Sequence, residues 1–214
     1  MCYSLKSSLI SYTIGIICGI FAIKTKQIPL GFLILFYSQM QLSEAIIWKG
    51  IDTNNLSLNK LGTNIAKYSL PLHLFGLGLG IYIVYKTPIP LITGMIFFLY
   101  VCILYAYQDT STYTFPYESC HTRECQNSKN RLVWTFPLLW YAIMTIMTLS
   151  FYFFYVRNDS IISRLFVILF FIATYLITRY LYPVQITVSS LWCFICAIAA
   201  PIVVLVNYFI ISKT

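Results

Sequence analysis

The stretch FYSQMQLSEAIIW, residues 36–48, decides how the whole chain is interpreted. It is long and apolar enough to belong to a membrane helix, yet it contains Gln39, Gln41 and Glu44. A carboxylate inside an apolar helix is costly unless it gains a partner, water or a proton. Glu44 therefore marks either a structural pair or a working site.

The composition of the chain agrees with a membrane protein. Of the 214 residues, 59% are hydrophobic and only 9% are charged, and the mean hydropathy is +0.79, values that do not suit a soluble globular domain. The net charge of +8 does not indicate nucleic-acid binding, because the basic residues lie at the ends of apolar runs. We expect a lipid bilayer as the main partner, no nucleic acid and no soluble catalytic domain. A homo-oligomer is a further candidate assembly.

Apolar runs of about 20 residues predict membrane-spanning helices. Here they predict an all-α fold: a polytopic integral membrane protein with a seven-transmembrane-helix bundle, forming a single domain over residues 1–214. The predicted spans are 5–23, 28–48, 65–85, 89–107, 134–156, 161–181 and 185–211. Pro29, Pro90 and Pro137 fall in first turns, whereas Pro71 and Pro201 fall inside spans and should kink them.

Seven spans divide the loops between two sides of the membrane. Side A contains the N-terminus, the 49–64 loop and the 108–133 loop, and side B contains the C-terminus and three short turns that are densely basic. Short basic turns are typical of the cytoplasmic side. We therefore expect the N-terminus and the 108–133 loop to be extracytoplasmic and the C-terminus to be cytoplasmic.

Polar residues gather in the half of the predicted bundle near side A. Glu44 follows Gln41 by three residues, so both project from one face of span 2, which should point inward. His73 follows the start of span 3 and is expected at a depth comparable to Glu44. Arg179 leaves span 6 and Gln185 begins span 7 on the same side. We expect these five residues to line one polar pocket.

Two interpretations of this pocket stay open. In the first, Glu44 pairs with Arg179 or His73 and fixes helix packing, because intramembrane ionisable groups seek one another. In the second, which is the leading hypothesis, the pocket passes or senses a small cation or a proton. Glu44 then supplies negative charge, His73 tunes it with pH, and Arg179 either gates the site or holds Glu44 closed when the site is empty. Such a function is not enzymatic and needs no cofactor.

The cysteines suggest an alternative. Cys120 and Cys125 lie in a polar side A loop, as does Cys2, so a Cys120–Cys125 disulfide or a bridge to Cys2 suits an oxidising compartment. The string CHTREC completes no recognised zinc spacing, and no metal site is predicted. Cys193 and Cys196, in WCFIC, together with the loop pair resemble the vitamin K epoxide reductase and bacterial disulfide-generating class. That resemblance implies a quinone-linked thiol–disulfide oxidoreductase, whereas cysteines in apolar helices are usually small hydrophobes.

Several short motifs also resemble an uncharacterised family of small seven-helix membrane proteins of microbes and large DNA viruses. They are the opening MCYSLKSS, SEAIIW in span 2, SLPLHLF around His73 and the cysteine-containing loop. The resemblance implies the seven-helix architecture and a viral or microbial source, but transfers no activity and no site residues. A structural or assembly protein of a viral or cellular membrane is the third functional class.

Overall fold

The structure is a computed structural model that describes residues 4–107, 115–116, 132–133, 139–157, 159–181 and 185–211; of residues 115–116, 132–133, 139–141, 181 and 185–195 it describes the backbone alone. The helices in these ranges are α1 (Leu5–Lys24), α2 (Ile28–Asp52), α3 (Leu56–Ser69), α4 (Leu72–Tyr85), α5 (Ile89–Tyr107), α6 (Leu139–Tyr155), α7 (Ile161–Leu181) and α8 (Gln185–Ile211). A two-residue antiparallel pairing joins β1 (Phe115–Pro116) to β2 (Leu132–Val133). The predicted all-α class is confirmed for the described chain.

The ends of the helices follow the local sequence. Ser4 caps α1, because its side chain accepts a hydrogen bond from the backbone N–H three residues later. Pro29 and Pro90 are the second residues of α2 and α5, where a missing N–H costs little, as predicted. The turns that precede these two helices each contain a lysine with positive φ, Lys26 at 67° and Lys86 at 55°. Pro137 lies outside the described residues.

The region predicted as a loop at 49–64 is mostly helical, which corrects that prediction. α2 continues to Asp52, and α3 begins at Leu56. The side chain of Asn55 caps α3 by accepting a hydrogen bond of 3.0 Å from the N–H of Leu58. α3 is amphipathic, so it lacks the uniform apolar run by which a span is recognised. Its buried residues are Asn59, Gly62, Thr63, Ala66 and Lys67.

α3 and α4 form a bent pair. A break of two residues, Leu70 and Pro71, separates them, and their axes differ by 45°. Proline cannot donate the backbone hydrogen bond that would continue α3, and its ring disfavours a helical conformation of the preceding residue. The kink predicted at Pro71 is therefore confirmed. Pro201 does lie inside α8, as predicted.

Two clusters of buried residues show how the helices run relative to one another. The first cluster joins the C-terminal halves of α2 and α5 to the junction of α3 with α4 and to the N-terminal half of α6. Its members are Tyr37, Met40, Ile47, Trp48, Ala66, Leu70, Leu74, Val101, Tyr105, Met144 and Cys196. The second joins the opposite ends of the helices; its members are Cys18, Ala22, Leu30, Leu33, Ile34, Leu77, Ile81, Tyr152, Val156, Val167, Ala200, Val203 and Val204. Consecutive helices therefore alternate in direction, with α3 and α4 acting as one bent unit.

α2 lies at the centre of this arrangement, because it packs against α1, α3, α4 and α8. Glycines permit the closest approaches. A Cβ atom on Gly31 would lie 2.8 Å from the carbonyl oxygen of Gly19 in α1, and one on Gly62 would lie 2.9 Å from the backbone nitrogen of Ile47. The side chains on the inner face of α2 are thus enclosed by several helices.

Four helices are long and apolar enough to cross a bilayer, and the bent α3–α4 pair is a fifth if it is counted as one span. The parts of α6 and α8 whose side chains are described, Ala142–Tyr155 and Cys196–Ile211, are apolar but shorter. The outward faces are apolar as well: Ile17, Ile96 and Ile162 are 61%, 61% and 66% exposed. By length and composition, helices of this kind are compatible with a multi-pass membrane protein.

Candidate functional site

The candidate site is built on one face of α2. Tyr37, Gln41, Glu44 and Trp48 are spaced four, three and four residues apart, so they form a stripe along the helix. All four are buried, and Gln41 and Glu44 are 0% exposed. The prediction that this face points inward is confirmed.

The complete burial of Glu44 is the most demanding feature of this face. Removing an ionised carboxylate from water costs on the order of several kcal/mol, unless other charges or hydrogen bonds compensate for the lost hydration. Side chains on a helix lean towards its N-terminus, so the Glu44 carboxyl group projects towards Gln41, one turn away. The site therefore combines a carboxyl group and an amide inside an apolar bundle.

Lys67 is a buried cation that sequence reasoning missed. It is 3% exposed, and its Nζ lies 3.4 Å from the carbonyl oxygen of Tyr105 and 4.7 Å from the centroid of the Tyr105 ring. That carbonyl belongs to the last turn of α5, where the helix dipole favours a positive charge. The signal that could have revealed Lys67 is its place on the buried face of the amphipathic α3.

The packing of α3 on α2 gives the depth of Lys67. Gly62 lies against Ser43 and Ile47, at the level midway between them. Because the two helices are antiparallel, five further residues along α3 correspond to about five fewer along α2. Lys67 therefore lies near the level of Gln41, about one helical turn from the buried carboxyl group.

His73 does not share the depth of Glu44, which corrects that expectation. Its ring packs on Tyr37, with the ring centroids 4.7 Å apart and the planes inclined by 34°. Tyr37 precedes Glu44 by seven residues, or about 10 Å along the helix. The reason is that the chain enters the bundle through α3, from Leu56, and has already crossed part of it before it reaches His73.

His73 also lacks a direct hydrogen bond to Glu44. Neither of its ring nitrogens has a hydrogen-bond partner among the described residues, although both are buried. The imidazole lines a narrow cleft whose other walls are Leu33, Tyr37, Met144, Thr145, Thr148, Leu149 and Phe171. A second narrow cleft lies beside Tyr37 and includes Ser38 and Cys196. Tyr37 thus lies between two narrow clefts inside the bundle.

The remaining predicted pocket residues lie at the ends of α7 and α8. Arg179 is in the last turn of α7 and is partly buried. Gln185 is the first residue of α8, and its side chain lies outside the described part of the chain. Because the helices alternate in direction, both positions are at the end of the bundle where α2 finishes. Their participation in the pocket stays a prediction.

The cysteine hypotheses are only partly covered by the described residues. Three cysteines lie outside them: Cys2, Cys120 and Cys125. Cys193 belongs to α8, but its side chain is not described. The thiol of Cys196 is free and 8% exposed, and its Sγ lies 3.5 Å from Oγ1 of Thr174. Both the disulfide and the thiol–disulfide chemistry stay predictions.

Among the described residues, no three His, Cys, Asp or Glu side chains are close enough to hold a metal ion. No protein-family model matches the chain, and no curated protein and no solved structure matches it either. The resemblances to small seven-helix membrane proteins and to the disulfide-generating class therefore stay predictions from short motifs. The function has to be argued from the buried polar groups themselves.

Proposed function

We propose that this chain is an integral membrane protein with seven transmembrane spans, and that it passes or senses a small cation or a proton through a buried polar site around Glu44. Two features support the seven spans: the alternating direction of the helices, and the bent α3–α4 pair in the place of the third predicted span. The N-terminus and the 108–133 loop are then extracytoplasmic, and the C-terminus is cytoplasmic.

The observation that carries the proposal is the complete burial of Glu44 beside Gln41 on the central helix. Ionisable residues inside membrane spans are rare, and they commonly mark ion pathways and proton relays. A carboxylate and an amide oxygen are hard oxygen ligands that suit a small cation, and the carboxylate alone can accept a proton. Glu44 is the group that binds the transported or sensed species.

Lys67 gives this site a means of release. Its ammonium group is buried near the level of Gln41, on a flexible four-carbon stem. A positive charge at that depth competes with a bound cation for the Glu44 carboxylate, and it stabilises the carboxylate once the cation has left. Lys67 thus pairs with Glu44 when the site is empty, a role that the sequence had suggested for Arg179. Arg179 and Gln185 instead gate the side A opening.

His73 is a titratable group that lies further towards side B than Glu44 does. Its imidazole lies about two helical turns from Glu44, beside Tyr37 and the two clefts. An imidazole can accept and release a proton, and its burial without a hydrogen-bond partner among the described residues favours the neutral form, so that it becomes charged only as the pH falls. In this proposal it sets the pH dependence of passage between the Glu44 site and side B.

Flux measurements in proteoliposomes test the proposal. Protons, Na⁺ and K⁺ are offered in turn under an imposed gradient, with Glu44→Gln beside the wild type. We expect flux of one of these ions in the wild type and the background of protein-free liposomes in the variant. Asp52→Asn is the matched control, since it removes a carboxylate from the exposed end of the same helix. The proposal fails if correctly folded Glu44→Gln retains the flux, or if the wild type conducts none of the three ions.

A variant of His73 tests the second part. His73→Phe keeps an aromatic ring against Tyr37 but removes both ring nitrogens. We expect flux to persist in this variant and to lose its dependence on pH, which in the wild type should appear below neutrality because burial favours the neutral imidazole. An unchanged pH profile would remove His73 from the pathway and leave Glu44 in it.

A further inference from the structure

A second cluster of buried polar groups lies at side B, away from Glu44. Gln27, in the turn between α1 and α2, is 2% exposed, and Ser163 of α7 and Asn207 of α8 are both 0% exposed. Asp159, which is partly buried in the connection between α6 and α7, completes the cluster. Gln27 and Glu44 are seventeen residues apart on the same helical segment, or about 25 Å, so this is a separate site.

The backbone carbonyl of Val204 sets the direction of the hydrogen bonds in this cluster. A carbonyl oxygen can only accept, so Nε2 of Gln27 donates to it at 3.2 Å. Gln27 then presents its Oε1, which accepts from Nδ2 of Asn207 at 2.8 Å. Asn207 in turn presents its Oδ1 to the hydroxyl group of Ser163. Because an amide oxygen can only accept, Ser163 must donate to it.

This assignment uses the single hydroxyl hydrogen of Ser163. The same hydroxyl oxygen lies 3.4 Å from Oδ2 of Asp159. An ionised carboxylate has no hydrogen to donate, so the two oxygens would face each other without one between them. A protonated Asp159 instead donates to Ser163 and makes every link of the chain a hydrogen bond. We infer that Asp159 is a proton-binding site whose proton closes a one-way chain of hydrogen bonds ending at Val204.

The surroundings of Asp159 are consistent with a bound proton. Burial raises the pKa of Asp159 above its ordinary value of 3.8, and this effect is the largest. Smaller effects lower it, namely the contacts with Ser163, Asn207 and Tyr152 and the positive charge of Arg164. The hydroxyl of Tyr152, from α6, lies 3.5 Å from Oδ2, and Tyr85 of α4 is the next titratable group beyond it.

Arg164 is held away from a tight pair with the carboxyl group. One of its guanidinium nitrogens, Nη1, donates to the carbonyl oxygen of Phe153 at 2.7 Å, and the guanidinium carbon lies 5.5 Å from the centre of the Phe153 ring. The other two elements around the cluster contribute amide groups: α8 contributes that of Asn207, and the α1–α2 turn contributes that of Gln27. The bound proton therefore ties the α1–α2 turn, α7 and α8 together at side B.

The sign of the pH dependence follows from the raised pKa. The folded protein holds the Asp159 proton more tightly than the unfolded polypeptide does. The contribution of this series of hydrogen bonds to stability is therefore complete at low pH. It is lost as the pH rises from the ordinary aspartate range through the raised pKa. Above that range the acceptor oxygens of the cluster repel one another and the side B end loosens.

Isotope-edited infrared spectroscopy of the full chain in lipid nanodiscs tests the protonation directly. Aspartate labelled with ¹³C at the side-chain carboxyl separates Asp159 from every glutamate. We expect a carbonyl band of a protonated carboxyl group that shifts with the label, persists in Asp52→Asn and is absent in Asp159→Asn. No label-sensitive band at any pH at which the protein is folded would overturn the inference, as would a band that survives in Asp159→Asn.

Hydrogen exchange of the C-terminal half of α8 tests the closing of the chain. After correction for the intrinsic pH dependence of exchange, wild type is expected to exchange slowly at low pH and faster above the transition. Asp159→Asn can donate from its amide at every pH and should stay slow, whereas Ser163→Ala should be fast at both. If Asp159→Asn shows the pH dependence of the wild type, the proton on Asp159 does not close the chain, even if Ser163→Ala fails to fold.

Discussion

Among the described residues, Glu44 and Lys67 are an acidic and a basic side chain that are both almost fully buried, and both lie in the same half of the bundle. The side chain of Glu44 is 0% exposed, and that of Lys67 is 3% exposed. Lys67 is partly compensated by the Tyr105 carbonyl and ring, which is the kind of compensation that a cation at the end of a helix receives. In the proposed function, the net charge of these two side chains depends on whether Glu44 binds a proton or a cation.

The contact between α3 and α2 that sets the depth of Lys67 depends on glycines, of which Gly62 is the one in α3. A Cβ atom on Gly62 would lie 2.9 Å from both the nitrogen of Ile47 and the carbonyl oxygen of Ser43, and backbone atoms cannot move aside. We expect Gly62→Ala to lower the free energy of unfolding by about 1–3 kcal/mol, the usual cost of overpacking. Thermal unfolding in detergent measures it, with exposed Leu61→Ala as the control. A variant as stable as the wild type would show that the two helices are not in close contact.

Helical spacing was sufficient to predict that Gln41 and Glu44 face inward, because a stripe with a period of 3.6 residues has one inner face whatever surrounds it. It was not sufficient for Lys67, since a lysine beside an apolar run usually lies at the membrane surface. Nor did it give the depth of His73, which depends on where the chain first enters the bundle.

Helices made of long apolar runs were predicted well. α1, α2, α5 and α7 match the predicted spans within a few residues, except that α2 extends to Asp52. α3 was missed because its sequence is amphipathic and its inner face contains Asn59, Thr63 and Lys67. A search for apolar runs cannot recognise a helix whose polar face is the buried one.

The break between α3 and α4 is expected to position His73. Pro71→Ala restores the backbone donor and permits a continuous helix, so the 45° bend should decrease. Spin labels at the exposed positions Leu61 and Ile83 would then move further apart in pulsed electron paramagnetic resonance. Wild-type distances in Pro71→Ala would show that packing against α2 imposes the bend, not the proline.

The bundle as a whole gives a prediction about sidedness. Exposed Lys26, Lys86 and Arg157 should all lie on side B, and exposed Thr53 and Asn54 on side A. Cysteines placed at these positions one at a time, in a background without other cysteines, should react with a membrane-impermeant reagent from those sides. Reaction of the cysteine at Lys86 from the side of Thr53 would mean that α3 and α4 form a re-entrant loop, and the seven-span proposal would be wrong.

The spatial order of the helices could not be predicted from the sequence, because apolar runs specify spans but not neighbours. The contact of α8 with α1, which brings Asn207 to Gln27, joins residues 180 positions apart. No local pattern announces such a contact. The side B cluster was therefore invisible in the sequence, whereas the Glu44 face was not.

The central claim is that Glu44 binds the ion or proton that passes through the protein, and does not merely neutralise the charge of the buried Lys67. The most direct measurement compares ion flux through Glu44→Gln, Lys67→Met and the double variant in proteoliposomes. If the two charges only stabilise each other, removing both restores the neutral balance of the interior, and flux should return in the double variant. We predict that the double variant folds at least as well as Glu44→Gln and still conducts nothing. Recovery of wild-type flux in the double variant would contradict the claim.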